Sequence, residues 1–100
     1  MSKTRMKRAQ VQVPWKAGLH LRPATTLVRI AQTFRSTIFL RCGGRLADAR
    51  SVVSILLLAA SVGSVVNIEV AGEDEANAAG AIARVFSMDD DGGDDGTAAR

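Results

Sequence analysis

Residues that build metal sites and disulfides are scarce in this chain of 100 residues, which has one cysteine and one histidine. A single cysteine, Cys42, cannot form an internal disulfide, and one cysteine with one histidine cannot build an ordinary zinc site. We therefore expect no metal and no other cofactor. Cys42 precedes two glycines, so we expect an inert residue beside a turn.

Long apolar runs are also missing, since no stretch of eighteen uninterrupted apolar residues occurs. A membrane-spanning helix needs such a run. The basic start of the chain is not followed by the apolar stretch of a signal peptide. These absences predict a cytoplasmic protein without membrane insertion. The length supports one domain with one core and excludes a two-domain enzyme, and we expect a monomer.

The net charge of +3 is unevenly divided along the chain. Four of the first eight residues are basic, whereas residues 89–100 hold five aspartates and one arginine. This acidic tail is rich in glycine and has almost no apolar content, so we expect it to be disordered and functionally silent. The expected organisation is a basic N-terminal extension at residues 1–6, a domain at residues 7–87 and the acidic tail at residues 88–100.

Alternation of apolar and polar residues, which has the period of a half-buried strand, predicts four strands. These segments lie at residues 9–13, 38–40, 45–47 and 66–70. Apolar residues at helical spacing predict three helices, which begin near Pro23, Val52 and Asp74. The predicted order is β-α-β-β-α-β-α. Because only one face of each strand is apolar, we expect helices on one face of the sheet and water on the other.

The only histidine lies in the heptapeptide Gly18-Leu19-His20-Leu21-Arg22-Pro23-Ala24, at the expected start of the first helix. Proline is tolerated in a first helical turn, and a glycine lets the preceding backbone turn sharply. The N-terminus of a helix suits an anion, and an imidazole can be an uncharged nucleophile near neutral pH. His20 is therefore predicted to receive a phosphoryl group, and the alternative from spacing alone is an exposed or capping histidine.

Two arginines lie seven residues apart on the predicted first helix, on about the same face and away from its apolar stripe. We expect Arg22 to pair with a phosphoryl group on His20, because a guanidinium is a strong donor to phosphate. Arg29 is expected to contact partners. Pro23 and Ala24 are expected to form the helix start that stabilises the phosphate.

The segment from Val52 to Ala60 has Ser54 as its only polar residue, so it is more apolar than one packed helix face requires. We expect Ile55, Leu58 and Ala59 to point into the core. A neighbouring exposed face would then present Val52, Val53 and Leu56. An exposed apolar surface on a small protein often marks a docking site, and the alternative is a helix buried on every side. Ser51 precedes this segment as the expected N-cap.

Three motifs resemble the HPr family, the histidine-containing phosphocarrier proteins of the bacterial phosphoenolpyruvate-dependent phosphotransferase system. The heptapeptide around His20 resembles the family's phosphohistidine signature, and the stretch from Arg50 to Ala60 is similar to its regulatory-serine region. Gly72-Glu73-Asp74-Glu75-Ala76 is similar to the Gly-x-Asp-Glu that opens its last helix. One departure is Leu21, since the family usually has a small residue after the histidine, so we expect this residue to affect partner fit.

The resemblance implies an α+β open-faced β-sandwich, with three helices on one face of a four-stranded antiparallel sheet. It implies a carrier, rather than an autonomous enzyme, that accepts a phosphoryl group from phospho-enzyme I and passes it to an enzyme IIA domain or an equivalent acceptor. It also implies that a serine kinase and phosphorylase act on Ser51. The docking residues would be Leu21, Arg29, Val52, Val53 and Leu56.

Two alternatives to this interpretation remain. The first is a regulatory or nitrogen-related paralogue within the family, which would phosphorylate signalling partners instead of sugar transporters. The second is a small nucleic-acid-binding domain, which would need aromatic residues on its sheet for base stacking. The chain has no tyrosine, and among its scattered aromatic residues only Phe39 could stand on the open face. We therefore expect no nucleic acid as a partner.

Overall fold

The computed structural model describes residues 6–88, and these form seven elements. The order β-α-β-β-α-β-α predicted from the sequence is confirmed. The basic extension and the acidic tail expected at the two ends lie, except for Met6 and Met88, outside the described residues. The elements are β1 (Lys7–Gln12), α1 (Leu21–Ala31), β2 (Thr37–Cys42), β3 (Arg45–Asp48), α2 (Val52–Leu56), β4 (Val65–Ala71) and α3 (Glu75–Val85).

The four strands form one antiparallel sheet in the order β1-β4-β2-β3. Val66, Ile68 and Val70 of β4 are fully buried, because β4 lies between two strands and its apolar face meets the helices. On the opposite face Arg41 donates to Glu69 over 3.1 Å. This bond lowers the pKa of Glu69 below its ordinary value. The predicted open-faced sandwich is confirmed.

Trp15 joins the segment before His20 to the end of α3. Its indole is almost completely buried, and its Nε1–H donates to the carbonyl oxygen of Met88 over 2.9 Å. The ring also packs against Phe86, with 5.3 Å between the ring centroids. An indole N–H that leaves water needs an acceptor, and the Met88 carbonyl supplies it. The chain that leads to His20 is therefore fixed to the core.

The start of α3 is tied to the loop before β2. The Asp74 carboxylate accepts from the backbone N–H of Arg35 over 2.9 Å, and from the backbone N–H and the hydroxyl of Ser36. The bond from the Arg35 N–H, followed by the Ser36 hydroxyl, holds the pKa of Asp74 below its usual range. Gly72 has a φ of +151°, and a Cβ atom there would lie 2.7 Å from the Cα atom of Ser36. The motif Gly-x-Asp-Glu is therefore explained by packing and bonding within the domain.

In the part of the chain from residue 6 to residue 88, no helix has the length and apolar character that a membrane span requires.

Candidate functional site

His20 is the N-cap residue of α1. Its backbone is extended, with φ −96° and ψ −167°, and its carbonyl oxygen accepts the helical bond from the N–H of Ala24 over 3.0 Å. The imidazole is half-buried and makes no capping bond to the helix, so the capping alternative is wrong. The side chain therefore stands at the positive end of α1 without serving to terminate it.

The loop before His20 is fixed by main-chain bonds. Gly18 donates to the carbonyl of Trp15 over 2.9 Å, and Leu19 donates to the carbonyl of Ala60 over 2.8 Å. Gly18 has a φ of +77°, and a Cβ atom there would lie 2.6 Å from the carbonyl oxygen of Ala60. Glycine is thus required both by the backbone conformation and by the lack of space. The turn after α2 and the loop carrying His20 are packed directly on each other.

The start of α1 is basic and lacks acidic groups. Arg22 at this helix start is exposed, as is Arg29 in the last turn of α1, and α1 contains no acidic residue. Pro23 and Ala24 are buried, and the Ala24 N–H already bonds to His20 within the helix. A phosphate contact from the Ala24 N–H would need this bond to break, and proline has no N–H to offer. An anion at His20 would meet positive charge and no carboxylate from α1.

Apolar side chains stand in solvent beside this loop, because α2 packs against α1 and its following turn bonds to Leu19. Ile55 and Leu58 enter the core as predicted. We call the exposed set the apolar surface, and its members with their exposed fractions are Leu21 (59%), Val53 (65%), Leu56 (36%) and Leu57 (67%). Exposed apolar side chains on a small protein often mark a docking site.

Within residues 6–88, no three histidine, cysteine, aspartate or glutamate side chains lie close enough together to hold one metal ion. What the geometry around His20 offers is a nucleophilic imidazole, helix dipole and guanidinium groups. This combination suits an anion that arrives on a partner protein.

The family model of the PTS HPr component phosphorylation site matches residues 7–88. The chain belongs to the HPr family. It is 38% identical over 77 residues to the phosphocarrier protein HPr of Xylella fastidiosa, which covers 77% of this chain and 86% of that protein. It is 40% identical over 78 residues to the phosphocarrier protein NPr of Proteus mirabilis, which covers 77% of this chain and 87% of that protein.

A solved structure gives the same result. The crystal structure of phosphocarrier protein HPr from Bacillus anthracis matches with a TM-score of 0.75 and 36% sequence identity. The match covers 80% of this chain and 95% of that one. The open-faced β-sandwich of this chain is therefore the fold of the HPr structure that it matches.

Ser51 is the N-cap of α2, as predicted. Its hydroxyl oxygen accepts from the N–H of Ser54 over 3.1 Å, and the Ser54 hydroxyl accepts in turn from the N–H of Asp48 over 2.9 Å. Arg50, the preceding residue, donates to the carbonyls of Phe34 and Ser36 over 2.6 and 3.1 Å. These bonds fix the start of α2 in this HPr-family domain, while Ser51 itself is half-exposed.

Three expectations about the middle helix are wrong. The helix ends at Leu56 rather than Ala60, because the chain enters a left-handed conformation at Ala59, where φ is +53°. Ala59 is consequently exposed instead of buried. Val52 is half-buried and packs against the core, because it lies at the first turn, whose inner side faces the domain.

The sequence interpretation missed Leu57, the most exposed leucine of the apolar surface. Its position in an unbroken apolar run gave no sign that the helix ends there. It also missed Arg45, whose Nη1 donates to the carbonyl of Leu57 over 3.1 Å. One feature of the sequence could have indicated this bond. The last turn of α2 has no basic residue, so a donor for its free carbonyl groups has to come from another element.

Proposed function

We propose that this HPr-family protein is a cytoplasmic phosphocarrier that accepts a phosphoryl group on His20 from phospho-enzyme I and passes it to an enzyme IIA-type acceptor. The position of His20 carries the proposal: it lies at the positive end of α1, its side chain makes no capping bond, and it stands next to Leu21 of the apolar surface. The names of its relatives, phosphocarrier proteins HPr and NPr, support the same function.

The chemical step is the transfer of a phosphoryl group to a nitrogen atom. A ring nitrogen of His20, Nδ1 by the family resemblance, forms a bond to phosphorus while the bond between phosphorus and the carrying group of phospho-enzyme I breaks. That group leaves with the electron pair of the broken bond. Phosphoryl transfer depends mostly on positioning and electrostatics, so a small domain can take part when its partner supplies the remaining groups.

Arg22 is the proposed charge partner of the transferred group. A guanidinium can bond to two phosphate oxygens at once, whereas an ammonium group acts as a single point charge. The side chain is exposed in the first turn of α1, two residues beyond His20. In this role Arg22 neutralises charge during the transfer and does not form a covalent bond.

Labelling by enzyme I and phosphoenolpyruvate tests the proposal. The wild-type protein should gain one acid-labile, base-stable phosphoryl group, and His20→Ala should gain none. Because the His20 side chain makes no capping bond, the variant should keep the circular dichroism spectrum of the wild type. Equal labelling of the folded variant would show that another residue is the acceptor.

A second part of the proposal is regulation at Ser51 by a serine kinase. Phosphate there would be favoured by the helix dipole of α2, yet its charge would lie next to the apolar surface and oppose docking. Ser51→Asp should lower the affinity for enzyme I, whereas Ser51→Asn should not, because both side chains cap a helix and only one is charged. Equal affinities of these two variants for enzyme I would remove the proposed switch.

A nitrogen-related role is the second candidate, and the 40% identity to the NPr of Proteus mirabilis favours it. Phosphorylated protein offered to a sugar-type and a nitrogen-type enzyme IIA in equal amounts separates the two. Faster transfer to the nitrogen-type acceptor would assign the protein to signalling rather than to sugar uptake.

A further inference from the structure

Arg45 is the first residue of β3 and lies twelve residues before Leu57, to which it bonds. Its Nη1 donates over 3.1 Å to the carbonyl oxygen of Leu57, which is the C-cap residue of α2. We propose that Arg45 is a positioning residue that holds the turn between the apolar surface and the His20 loop in the shape that partners recognise. The proposal rests on the proposed function, since it names a residue that prepares the same docking surface.

The helix that Arg45 contacts is too short to be stable by itself. α2 has five residues, and isolated helices shorter than about 12 residues are marginal in water. The last carbonyls of any helix lack partners within the helix, and a cation near them is favourable. Because α2 has no basic residue in its last turn, this cation comes from the neighbouring strand instead.

The turn after α2 is in direct contact with the loop that carries His20. Ala59 has a φ of +53°, a conformation that costs a non-glycine residue free energy. The next residue, Ala60, accepts from the N–H of Leu19 over 2.8 Å. The segment from Leu57 to Ala60 is thus held at its first residue by Arg45 and at its last residue by the neighbour of His20.

The Arg45 side chain has a second contact with this turn. Together with Leu46, Ser54, Leu57 and Leu58 it lines a cavity of about 320 Å³ between β3 and α2. The side chain of Arg45 therefore takes part in this wall, and its guanidinium bonds to the carbonyl. A methionine at this position keeps the aliphatic part of the side chain and removes only the donor, so Arg45→Met isolates the hydrogen bond.

The first measurement is amide hydrogen exchange in the protein without partners. In Arg45→Met the N–H groups of Leu19, Leu58 and Ala59 should exchange about fivefold faster, as expected for the loss of one hydrogen bond at a helix end. The N–H groups of Val13 and Gly63, which bond to Ser64 and Val13 elsewhere in the domain, should be unchanged. Arg45→Lys should restore slow exchange, because an ammonium group can also donate to the carbonyl.

The second measurement is phosphorylation of the full-length protein by enzyme I. Arg45→Met should raise KM for the carrier about fivefold and change kcat by less than about twofold, because a docked partner orders the turn again. The matched control is Arg41→Met, which removes an arginine that pairs with Glu69 on the opposite face of the sheet. This control should change neither KM nor the exchange rates around α2.

The outcomes separate the two proposals. Unchanged exchange in Arg45→Met would overturn the positioning role, and so would faster exchange with an unchanged KM. A raised KM with unchanged exchange would show that Arg45 contacts the partner directly, which also contradicts the proposal. If phospho-enzyme I failed to label the wild-type protein at all, the proposed function would fall, and the exchange rates would still decide whether Arg45 holds the turn.

Discussion

At the start of α3 the polar groups bond to one another, whereas around α2 apolar side chains stand in solvent. Asp74 satisfies two backbone N–H groups and a hydroxyl, and its partner Ser36 is almost completely buried. Val53 and Leu57, in contrast, expose about two thirds of their surface. The first region therefore satisfies its own polar groups, whereas the second leaves apolar surface in water, as expected for the proposed docking surface.

The two regions also differ in charge. Three acidic residues in succession, Glu73 to Glu75, stand at the start of α3, where the dipole of the helix favours them. The His20 region has the basic side chain of Arg22, a second arginine, Arg29, lies in the last turn of α1, and α1 has no carboxylate. A phosphoryl group therefore has a favourable electrostatic environment at one helix start, and the other helix start is already neutralised by its own residues.

A pair of charged substitutions in α2 should give the largest effect. Ile55 is fully buried, so Ile55→Asp places a carboxylate in the core and should lower the free energy of unfolding by about 4 kcal/mol. Val53→Asp introduces the same group on the apolar surface, where it creates no cavity and meets water. Thermal unfolding of both variants, with their affinity for enzyme I, measures the difference.

Val53→Asp should keep the melting temperature of the wild type and lose affinity for enzyme I. If this variant unfolded as Ile55→Asp does, the surface around α2 would be part of the core. The distinction between a folded scaffold at α3 and an exposed docking surface at α2 would then be wrong.

A smaller effect is expected at the start of α3. The pKa of Asp74 is lowered by its bonds, so its contribution to stability is complete above the ordinary value of 3.8 and is lost as the pH falls through the lower pKa of the folded state. Asp74→Asn should therefore lower the melting temperature at pH 7, and the difference from the wild type should shrink in acid.

The matched control is Glu73→Gln, because Glu73 pairs with Arg35 only in an exposed ion pair, which contributes little. Melting temperatures between pH 2 and pH 7 check both variants. A loss at pH 7 that stayed constant down to pH 2 would assign the role of Asp74 to packing instead of charge.

The smallest effect should be a gain in stability at Ala59. Glycine at this position relieves a left-handed strain of about 1–2 kcal/mol, but it also raises the entropy of the unfolded chain, which costs about 0.4–1 kcal/mol. Ala59→Gly should thus stabilise the domain by about 0.5–1 kcal/mol, measured by urea unfolding. Ala60→Gly, at a buried position with an ordinary backbone, should destabilise it. A lower free energy of unfolding in Ala59→Gly than in the wild type would show that the left-handed backbone at Ala59 is not strained.

Periodicity predicted most of the fold because the elements that it detected have one buried face. Val66, Ile68 and Val70 alternate with polar residues, and their burial confirms β4. The position of His20 at a helix start followed from Gly18 and Pro23, two residues that restrict the backbone locally. Local signals of this kind are readable from a single sequence.

The end of α2 could not be predicted because distant contacts determine it. Alanine favours helix, yet Ala59 leaves it, since the carbonyl of Ala60 bonds to Leu19 some forty positions earlier. The bond from Arg45 to Leu57 and the bond from Trp15 to Met88 likewise join residues with no common local pattern. The missed member of the apolar surface, Leu57, belongs to this part of the structure.

The central claim is that His20 passes its phosphoryl group on, and transfer from the isolated phosphorylated protein tests it most directly. The protein is labelled with enzyme I and radioactive phosphoenolpyruvate, freed of enzyme I and mixed with an enzyme IIA domain. We expect the label to leave the carrier and to appear on the acceptor in equal amount within the time of mixing. Release of the label as inorganic phosphate, with none on the acceptor, would contradict the carrier function.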